Sequence, residues 1–443
     1  SPYPPNELSR PEIGTFIDNK IIFFDSYDFG INNTKAFFLD LSVNWTTSTP
    51  AFIKINDLFN VPMFDYTTFS ALNKSGLSLI YAYGGLIPIN FNSWNTGTFV
   101  SDFYKIDVTS YPFSISPVRA GSISPGPRSN HNSIFDDKGK LYIWGGKTVA
   151  KNGSYINDQT MYIFDTFNST WSQVLPSDAP DQRSSYSATF KDGKIYFIGG
   201  CFSNIPGCIC VDIYEILVYD TLDINNPWTI KKATSDTSIS YISGRYVHSA
   251  VLAPNNQSII LYGGLTSNAS GIPPDYLISL DLQTFKFSMI VTKNESSIDD
   301  VSFRTTIVIY NNYMIACFGV FFTKNPNRKV IRVLDLKDYT WVDNFETQVS
   351  NSTTTPAPTP TFINNDNKKI IIFSTVGPIL VIILVGFIAF LFYNYKRKQK
   401  QPNIDNNTAT HNSLTENNNQ NNLTSDYNIR DSYVSSLAFK SES

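Results

Sequence analysis

Histidine is nearly absent from this chain, with three among 443 residues, at positions 131, 248 and 411. So small a supply leaves little for metal ligation or for acid–base catalysis near neutral pH. Cysteine numbers only four, and charged residues make up 16% against a typical ~25%. With a formal net charge of -3 there is no basic excess, which argues against a nucleic-acid binder. Uncharged polar groups fill the deficit, since asparagine alone accounts for 43 residues. Hydrophobic residues reach 42%, enough for a large core, and the 14% aromatic share favours β structure. At ~150 residues per domain the length would make about three domains, unless a repeat architecture merges them.

Charge is wholly missing from one long stretch, Ile370 to Tyr393. As a helix these residues would span roughly 36 Å, more than the ~30 Å hydrocarbon core of a bilayer. A transmembrane helix is therefore expected over residues 370–395, with Gly377 and Pro378 kinking its outer end. Lys396, Arg397, Lys398 and Lys400 follow the run, while Lys368 and Lys369 precede it, which orients the C-terminus to the cytoplasm. The chain begins at Ser1 rather than Met, as removal of a secretory signal would leave it. Residues 347–369, rich in Ser, Thr and Pro, read as an extended stalk, and the Asn-rich residues 396–443 as a disordered tail. Nine N-x-S/T sequons stand on the outward side, at Asn32, Asn44, Asn73, Asn152, Asn168, Asn256, Asn268, Asn294 and Asn351. Each is a candidate glycan acceptor, so a glycoprotein in the cell membrane is expected.

Residues 1–346 repeat one idea six times. The runs LIYAYGG, KLYIWGGK, KIYFIGGC and SIILYGGL end in glycine pairs at 84/85, 145/146, 199/200 and 263/264, and Asp25 and Gly319 mark two decayed copies. Upstream of these marks stands an arginine, at Arg10, Arg128, Arg183, Arg245 and Arg304, with Thr67 or a neighbour filling the place in the second repeat. Downstream comes a hydrophobic run ending in Asp40, Asp107, Asp165, Asp220, Asp281 or Asp335. An aromatic residue follows, at Trp45, Trp171, Trp228 or Trp341, with Phe113 and Phe285 or Phe287 as stand-ins. Short apolar runs bounded by Asp-Gly and Gly-Gly turns are buried strands, so each repeat is a four-stranded unit. The paired glycines let the chain turn at positive φ close to the neighbouring sheet, the Asp caps a turn, and the aromatic fills the gap between units.

The pattern resembles the kelch motif, which pairs a glycine doublet with a downstream acid and Trp. The resemblance, which covers residues 10 to about 346, implies an all-β fold, a six-bladed kelch-type β-propeller over residues 1–346, and the transmembrane helix and disordered tail read from composition follow it. Sequence leaves ring closure open between packing alone and a strand lent by Ser1–Leu8 or by the segment after Trp341.

Kelch-like propellers include galactose oxidase and its relatives, whose site requires copper held by two His and two Tyr. Here His411 falls in the tail, and His131 and His248 occupy the same repeat position, three residues after an arginine, where Tyr186 stands in the intervening repeat. A repeated structural position explains them better than a metal pair. Asp212, Glu215 and Asp275 could serve a glycosidase but read as solvated loop carboxylates. We therefore expect no enzyme, no catalytic residues, no metal and no cofactor. Cys201, Cys208 and Cys210 lie in one loop, where Cys201 pairing with Cys208 or Cys210 is expected and zinc is the alternative, while Cys317 reads as a buried apolar residue.

The long loops Leu86–Phe99, Lys147–Asn157, Cys201–Val211 and Leu265–Asp275 share one face of the disc and are the expected carriers of recognition. Candidate binding residues are Trp94, Phe91 and Tyr155 as aromatic anchors, and a ring of Arg10, Arg128, Arg183, Arg245 and Arg304 that could grip a carboxylate. The competing reading has each arginine holding the preceding loop through its backbone carbonyls. The expected function is a single-pass membrane protein that presents a propeller face outside the cell to a protein or glycan. The alternatives are a galactose oxidase-like or other carbohydrate-active enzyme on the same fold, and a scaffold with its propeller in the cytoplasm.

Overall fold

The computed structural model describes residues 11–347 except 26–33, 60–65, 89–96, 120, 122, 151–153, 203–207, 237–240, 268–272, 295–300 and 322–329. The chain divides into two units, Ser1–Ser352 and Thr353–Ser443, and every described residue lies in the first. The expected transmembrane run and tail, and the stalk beyond residue 347, lie outside the described residues. Among the described residues no helix is long and apolar enough to cross a membrane.

Six antiparallel four-stranded blades follow one another in sequence. Blade 1 comprises Pro11–Ile17, Lys20–Asp25, Thr34–Asp40 and Phe52–Phe59; blade 2, Thr68–Lys74, Leu77–Pro88, Gly97–Asp107 and Ser114–Pro117. Blade 3 comprises Asn132–Phe135, Lys140–Trp144, Met161–Asp165 and Thr170–Val174; blade 4, Ser187–Lys191, Lys194–Ile198, Glu215–Asp220 and Trp228–Lys232. Blade 5 comprises Ser249–Leu252, Ser258–Tyr262, Leu277–Asp281 and Lys286–Met289; blade 6, Thr306–Tyr310, Tyr313–Cys317, Ile331–Asp335 and Thr340–Val342. The first strand of each blade lies innermost, against the first strands of both neighbours. In all six blades the Asp that ends the third strand accepts the N–H two residues on, from Ser42, Thr109, Phe167, Leu222, Gln283 and Lys337 at 2.8–3.0 Å. This Asx turn is why an acid recurs there.

The hydrophobic core lies between blades. Trp171 packs on Phe103 of blade 2, Trp228 on Trp144 of blade 3, and Trp341 on Tyr262 of blade 5, with ring centroids 5.4, 5.0 and 6.5 Å apart. Blade 5 has no Trp, and Phe287 takes the place against Tyr214 of blade 4 at 6.0 Å. Edges are also covered: Thr234–Ser235 runs parallel to the outermost strand of blade 5, and Lys293 bridges Thr340 on that of blade 6.

Of the devices that sequence left open, packing and the segment after Trp341 both take part in ring closure, while Ser1–Leu8 lies outside the described residues. Blade 1 packs on blade 6 in one cluster that unites Phe23, Phe37 and Leu39 with Ile315, Ile331 and Phe318, and Gly14 N–H donates to Thr306 Oγ1 at 2.7 Å. The segment after Trp341 then adds a short clasp, in which Asn344 and Phe345 pair antiparallel with Thr46 and Trp45. Thr47 N–H donates to Asp343 O at 2.8 Å, and Thr347 N–H to Asn44 Oδ1 at 2.8 Å. Among the described residues, the four strands of each blade come from one contiguous stretch of chain.

Candidate functional site

The glycine doublets set the geometry of the loop face. First doublet positions Gly84, Gly145, Gly199 and Gly263 have φ of +69°, +66°, +62° and +67°. A Cβ there would stand 2.6, 2.4, 2.7 and 2.1 Å from the carbonyl oxygens of Arg128, Arg183, Arg245 and Ser302 in the next blade. The second glycine then donates to the same carbonyl: Gly85 to Arg128 at 2.9 Å, Gly146 to Arg183 and Gly200 to Arg245 at 2.8 Å. The backbone of the arginine segment is thus clamped onto the preceding blade.

The arginine side chains turn inward. Arg128 is fully buried, its Nη1 donating to Gly145 O at 3.0 Å, its Nε to Gly126 O at 3.2 Å and its Nη2 to Asp158 Oδ2 at 2.7 Å. Arg245 bonds Asp275 O at 2.9 Å and pairs with the Asp275 carboxylate, and Arg183 bonds Glu215 O at 3.1 Å and pairs with its carboxylate. Burial drives the Asp158 carboxyl upward, but the charge and hydrogen bond of Arg128, with bonds from Thr160, outweigh it and hold that carboxyl below its ordinary value. Burial lowers the Arg183 guanidinium to about 10 despite the opposing pull of Glu215 and Asp212.

The expected ring of guanidinium groups open to a ligand is therefore corrected for Arg128, Arg183 and Arg245: each ties its own blade to the loop that enters the third strand. Asp275 is likewise not a solvated carboxylate but the buried partner of Arg245, and the partly exposed Glu215 pairs with both Arg183 and Lys232, whereas Asp212 is exposed. Arg10 and the aromatic anchors Phe91 and Trp94 lie outside the described residues. Tyr155 is half-buried beneath Lys147, whose Nζ stands 6.0 Å from its ring centroid.

Arg304 is a different position altogether. Two residues beyond the arginine place, the chain takes positive φ in five blades, at Tyr66 (62°), Asn130 (56°), Ser185 (56°), Val247 (48°) and Arg304 (56°). By that register Ser302, not Arg304, stands in the arginine place of blade 6, and its hydroxyl donates to Phe318 O at 2.9 Å as Arg128 does to Gly145 O. Thr67 follows Tyr66 and so shares the register of His131, yet it also donates to its blade's first glycine, Gly84 O, at 2.9 Å.

These five residues encircle the mouth of the central channel, a cavity of about 280 Å³ continued inward by Phe69, Ala188, Ala250 and Ile307. Four of them are chained by backbone bonds, Ser185 N–H to Asn130 O at 2.7 Å, then Val247 to Ser185 O and Arg304 to Val247 O, both at 2.9 Å. The Arg304 guanidinium stacks 3.9 Å from the Tyr66 ring centroid. Positive φ costs a β-branched residue such as Val247 on the order of 1–3 kcal/mol, and such strain gathers at functional sites. Sequence reasoning missed the mouth because only Asn130 and Ser185 are ordinary turn residues.

Thr67, His131, Tyr186, His248 and Thr305 form the next layer, one per blade. The Cε1 atoms of His131 and His248 lie against the first glycines of blades 2 and 4. His248 Nε2 is 3.0 Å from Ser187 Oγ, and Tyr186 donates its hydroxyl to Trp144 O. Burial first, and then the nearby arginine charge, hold both imidazoles down, His248 to about 3. The two histidines are thus wedges between blades, with blade 4 standing between blades 3 and 5. Among the described residues no three His, Cys, Asp or Glu side chains converge to hold a metal.

Cys201 and Cys208 form a disulfide with Cα atoms 5.2 Å apart, while Cys210 and the buried Cys317 are free thiols. Asn44, Asn73, Asn168, Asn256 and Asn294 are exposed, and Asn32, Asn152, Asn268 and Asn351 lie outside the described residues.

Comparison with known proteins agrees with this architecture. Residues 70–238 match the KLHDC2/KLHL20/DRC7 Kelch-repeats domain. Ras guanine nucleotide exchange factor F of Dictyostelium discoideum is 26% identical over 146 residues, 33% of this chain and 11% of that protein. The Rab9 effector protein with kelch motifs of Xenopus laevis is 34% identical over 77 residues, 17% of this chain and 20% of that protein. Adagio protein 3 of Arabidopsis thaliana is 29% identical over 146 residues, 33% of this chain and 23% of that protein. The chain therefore spans between about a tenth and a quarter of the length of these relatives. The solved structure of YjhT, 14% identical, superimposes with a TM-score of 0.51 over 74% of this chain and 95% of that one, which establishes likeness of fold. Fold and repeats together define a kelch-repeat β-propeller with six blades.

Proposed function

We propose that this chain is a non-enzymatic binding protein whose kelch propeller engages a protein partner through the loop face and the channel mouth. The observation that carries this reading is the strained ring of Tyr66, Asn130, Ser185, Val247 and Arg304 around an open cavity, where Arg304 supplies the cation. A partner side chain bearing a carboxylate fits that mouth, since a guanidinium offers it paired donors. The relative named as a Rab9 effector with kelch motifs supports a protein-binding role for propellers of this kind. A non-catalytic reading is supported by the placement of His131 and His248 between blades and by the arginine pairing of Glu215 and Asp275.

In this proposal residues 370–395 anchor the chain in the cell membrane, with the propeller outside and residues 396–443 in the cytoplasm. The uncharged run and the basic cluster after it support that orientation. The test is affinity capture with the full chain in parallel with its Arg304→Ala, Tyr66→Ala double variant. Partners retained by the wild type and lost by a variant of unchanged melting temperature support the mouth as the site. Equal capture by both chains removes it.

A further inference from the structure

We propose that the cleft between blades 4 and 5 on the loop face is a carbohydrate subsite, which takes a neutral sugar residue stacked on Tyr241. It is distinct from the channel mouth and does not rest on it. The cleft, roughly 600 Å³, is lined by Cys210, Val211, Asp212, Tyr214, Tyr241, Ser243, Gly244, Thr266 and Ser267. It is an open cleft at the surface rather than an enclosed pocket.

Its walls are built rigidly. Gly244 carries no side chain because a Cβ would meet Val211 O at 2.8 Å, and the next residue, Arg245, is fixed by its ion pair with Asp275. The Cys201–Cys208 disulfide ties down the start of the opposite wall, where Cys201 also bridges Cys210.

Several backbone donors of these walls are consumed internally. Cys210 N–H donates to Ser267 Oγ at 3.0 Å, Val211 N–H to Gly200 O at 3.0 Å, and Tyr214 N–H to Asp212 Oδ1 at 3.0 Å. Ile242 N–H donates to Tyr214 Oη at 3.0 Å, and Ser243 N–H to Asp275 Oδ2 at 3.1 Å. An extended peptide that docks by adding a strand needs such donors, and these are already taken.

What the cleft offers instead is side-chain chemistry. Tyr241 is 67% exposed, and its ring lies 6.3 Å from that of Tyr214. The hydroxyls of Ser243, Thr266 and Ser267 and the exposed carboxylate of Asp212 line the rest. Among the described residues that line the cleft there is no Lys or Arg, and the one charged group is the Asp212 carboxylate. An aromatic face that receives the apolar C–H side of a pyranose, a carboxylate that accepts from adjacent sugar hydroxyls, and serine and threonine donors at the rim match a neutral saccharide.

Saturation-transfer NMR on the full chain with cellotriose, mannotriose and triacetylchitotriose, and with a neutral tripeptide as control, tests the assignment. At least one sugar should receive saturation at its ring C–H protons. Affinity should fall about tenfold or more in Tyr241→Ala, fall in Asp212→Asn, and persist in Tyr241→Phe and in Arg304→Ala. Because Tyr241 and Asp212 are exposed, an unchanged melting temperature keeps these variants interpretable. Absence of transfer to every sugar overturns the proposal, as does transfer that survives both cleft substitutions, or Tyr241-dependent transfer to the tripeptide alone. Loss of partner capture in the mouth variant with sugar binding intact separates the two sites.

Discussion

Phe345 lies flat on Trp45, ring centroids 4.6 Å apart and planes 15° from parallel, although the two residues stand at opposite ends of the propeller's sequence. Phe345 is fully buried and Trp45 nearly so. The same Trp is the interblade aromatic of blade 1, so one contact both seals the gap between blades 6 and 1 and locks the ring. Among the described residues, the clasp adds to the packing of blade 1 on blade 6 in closing the ring.

Phe345→Ala should therefore be among the most damaging single substitutions in the chain, costing about 3–5 kcal/mol, as large aromatic deletions from packed cores do. Phe167→Ala, at a residue 87% exposed, should change stability by less than about 0.5 kcal/mol. Urea unfolding of the two variants is the comparison. A loss below about 1 kcal/mol for Phe345→Ala would show that packing of the first strands closes the ring without the clasp.

The doublet glycines differ from ordinary turn glycines in what surrounds them. Gly76 has φ of +79° and open space where a Cβ would point, whereas Gly145 has φ of +66° and the Arg183 carbonyl oxygen 2.4 Å away. Gly76→Ala should cost about 1 kcal/mol, the strain of a left-handed alanine. Gly145→Ala adds a backbone collision and should cost roughly 3 kcal/mol or more. Similar melting temperatures for the two variants would refute the clamp between blades 3 and 4.

The six-fold repeat, the Asx turns and the interblade aromatics were legible because each is a local pattern with one mechanical cause. The burial of the arginines was one of two readings that sequence offered, and the structure selects it through Asp158, Glu215 and Asp275. Blade 6 misled, since its decayed doublet gives no fixed point from which to count, and Arg304 was assigned two places from its true register. The reason is visible at Phe318, which holds the first doublet position at φ of 56° and packs on Phe23 of blade 1 at 4.9 Å. An aromatic cluster replaces the glycine clamp there. The channel mouth was illegible because positive φ at Tyr66, Val247 and Arg304 does not follow from residue preference; at Val247 and Arg304 it goes with the chain of backbone bonds between blades.

Acid should weaken this fold earlier than carboxylate protonation alone would. His131 and His248 are buried uncharged, and His248 holds its folded value at about 3 against 6.5 in the unfolded chain. Between those limits the unfolded state binds the extra protons, so stability is complete above about pH 6.5 and declines as pH falls. The slope approaches about 1.4 kcal/mol per pH unit for each histidine. Asp158, depressed by Arg128 and Thr160 against the push of burial, adds a loss of the same sign only as pH falls below its ordinary value of 3.8. Denaturant unfolding at several pH values between 7 and 4.5 should show the decline, and His248→Gln should roughly halve it. Stability that stays level to pH 4.5 would contradict buried neutral rings.

The four cysteines should separate into three chemical classes under alkylation of the native, non-reduced protein. Cys201 and Cys208 are joined and should be protected from reagent until reduced. Cys317 is fully buried and its thiol is pushed far up by that burial, so little reactive thiolate forms and labelling should require unfolding. Burial raises the Cys210 thiol too, but the hydrogen bonds with Ser267 oppose it and the residue is only half-buried. Cys210 should therefore label slowly, and faster as pH rises. Peptide mapping should recover a Cys201–Cys208 pair with Cys210 modified. Recovery of Cys201 joined to Cys210, with Cys208 carrying the label, would overturn this assignment and move the staple to the Cys210 wall of the blade 4–5 cleft.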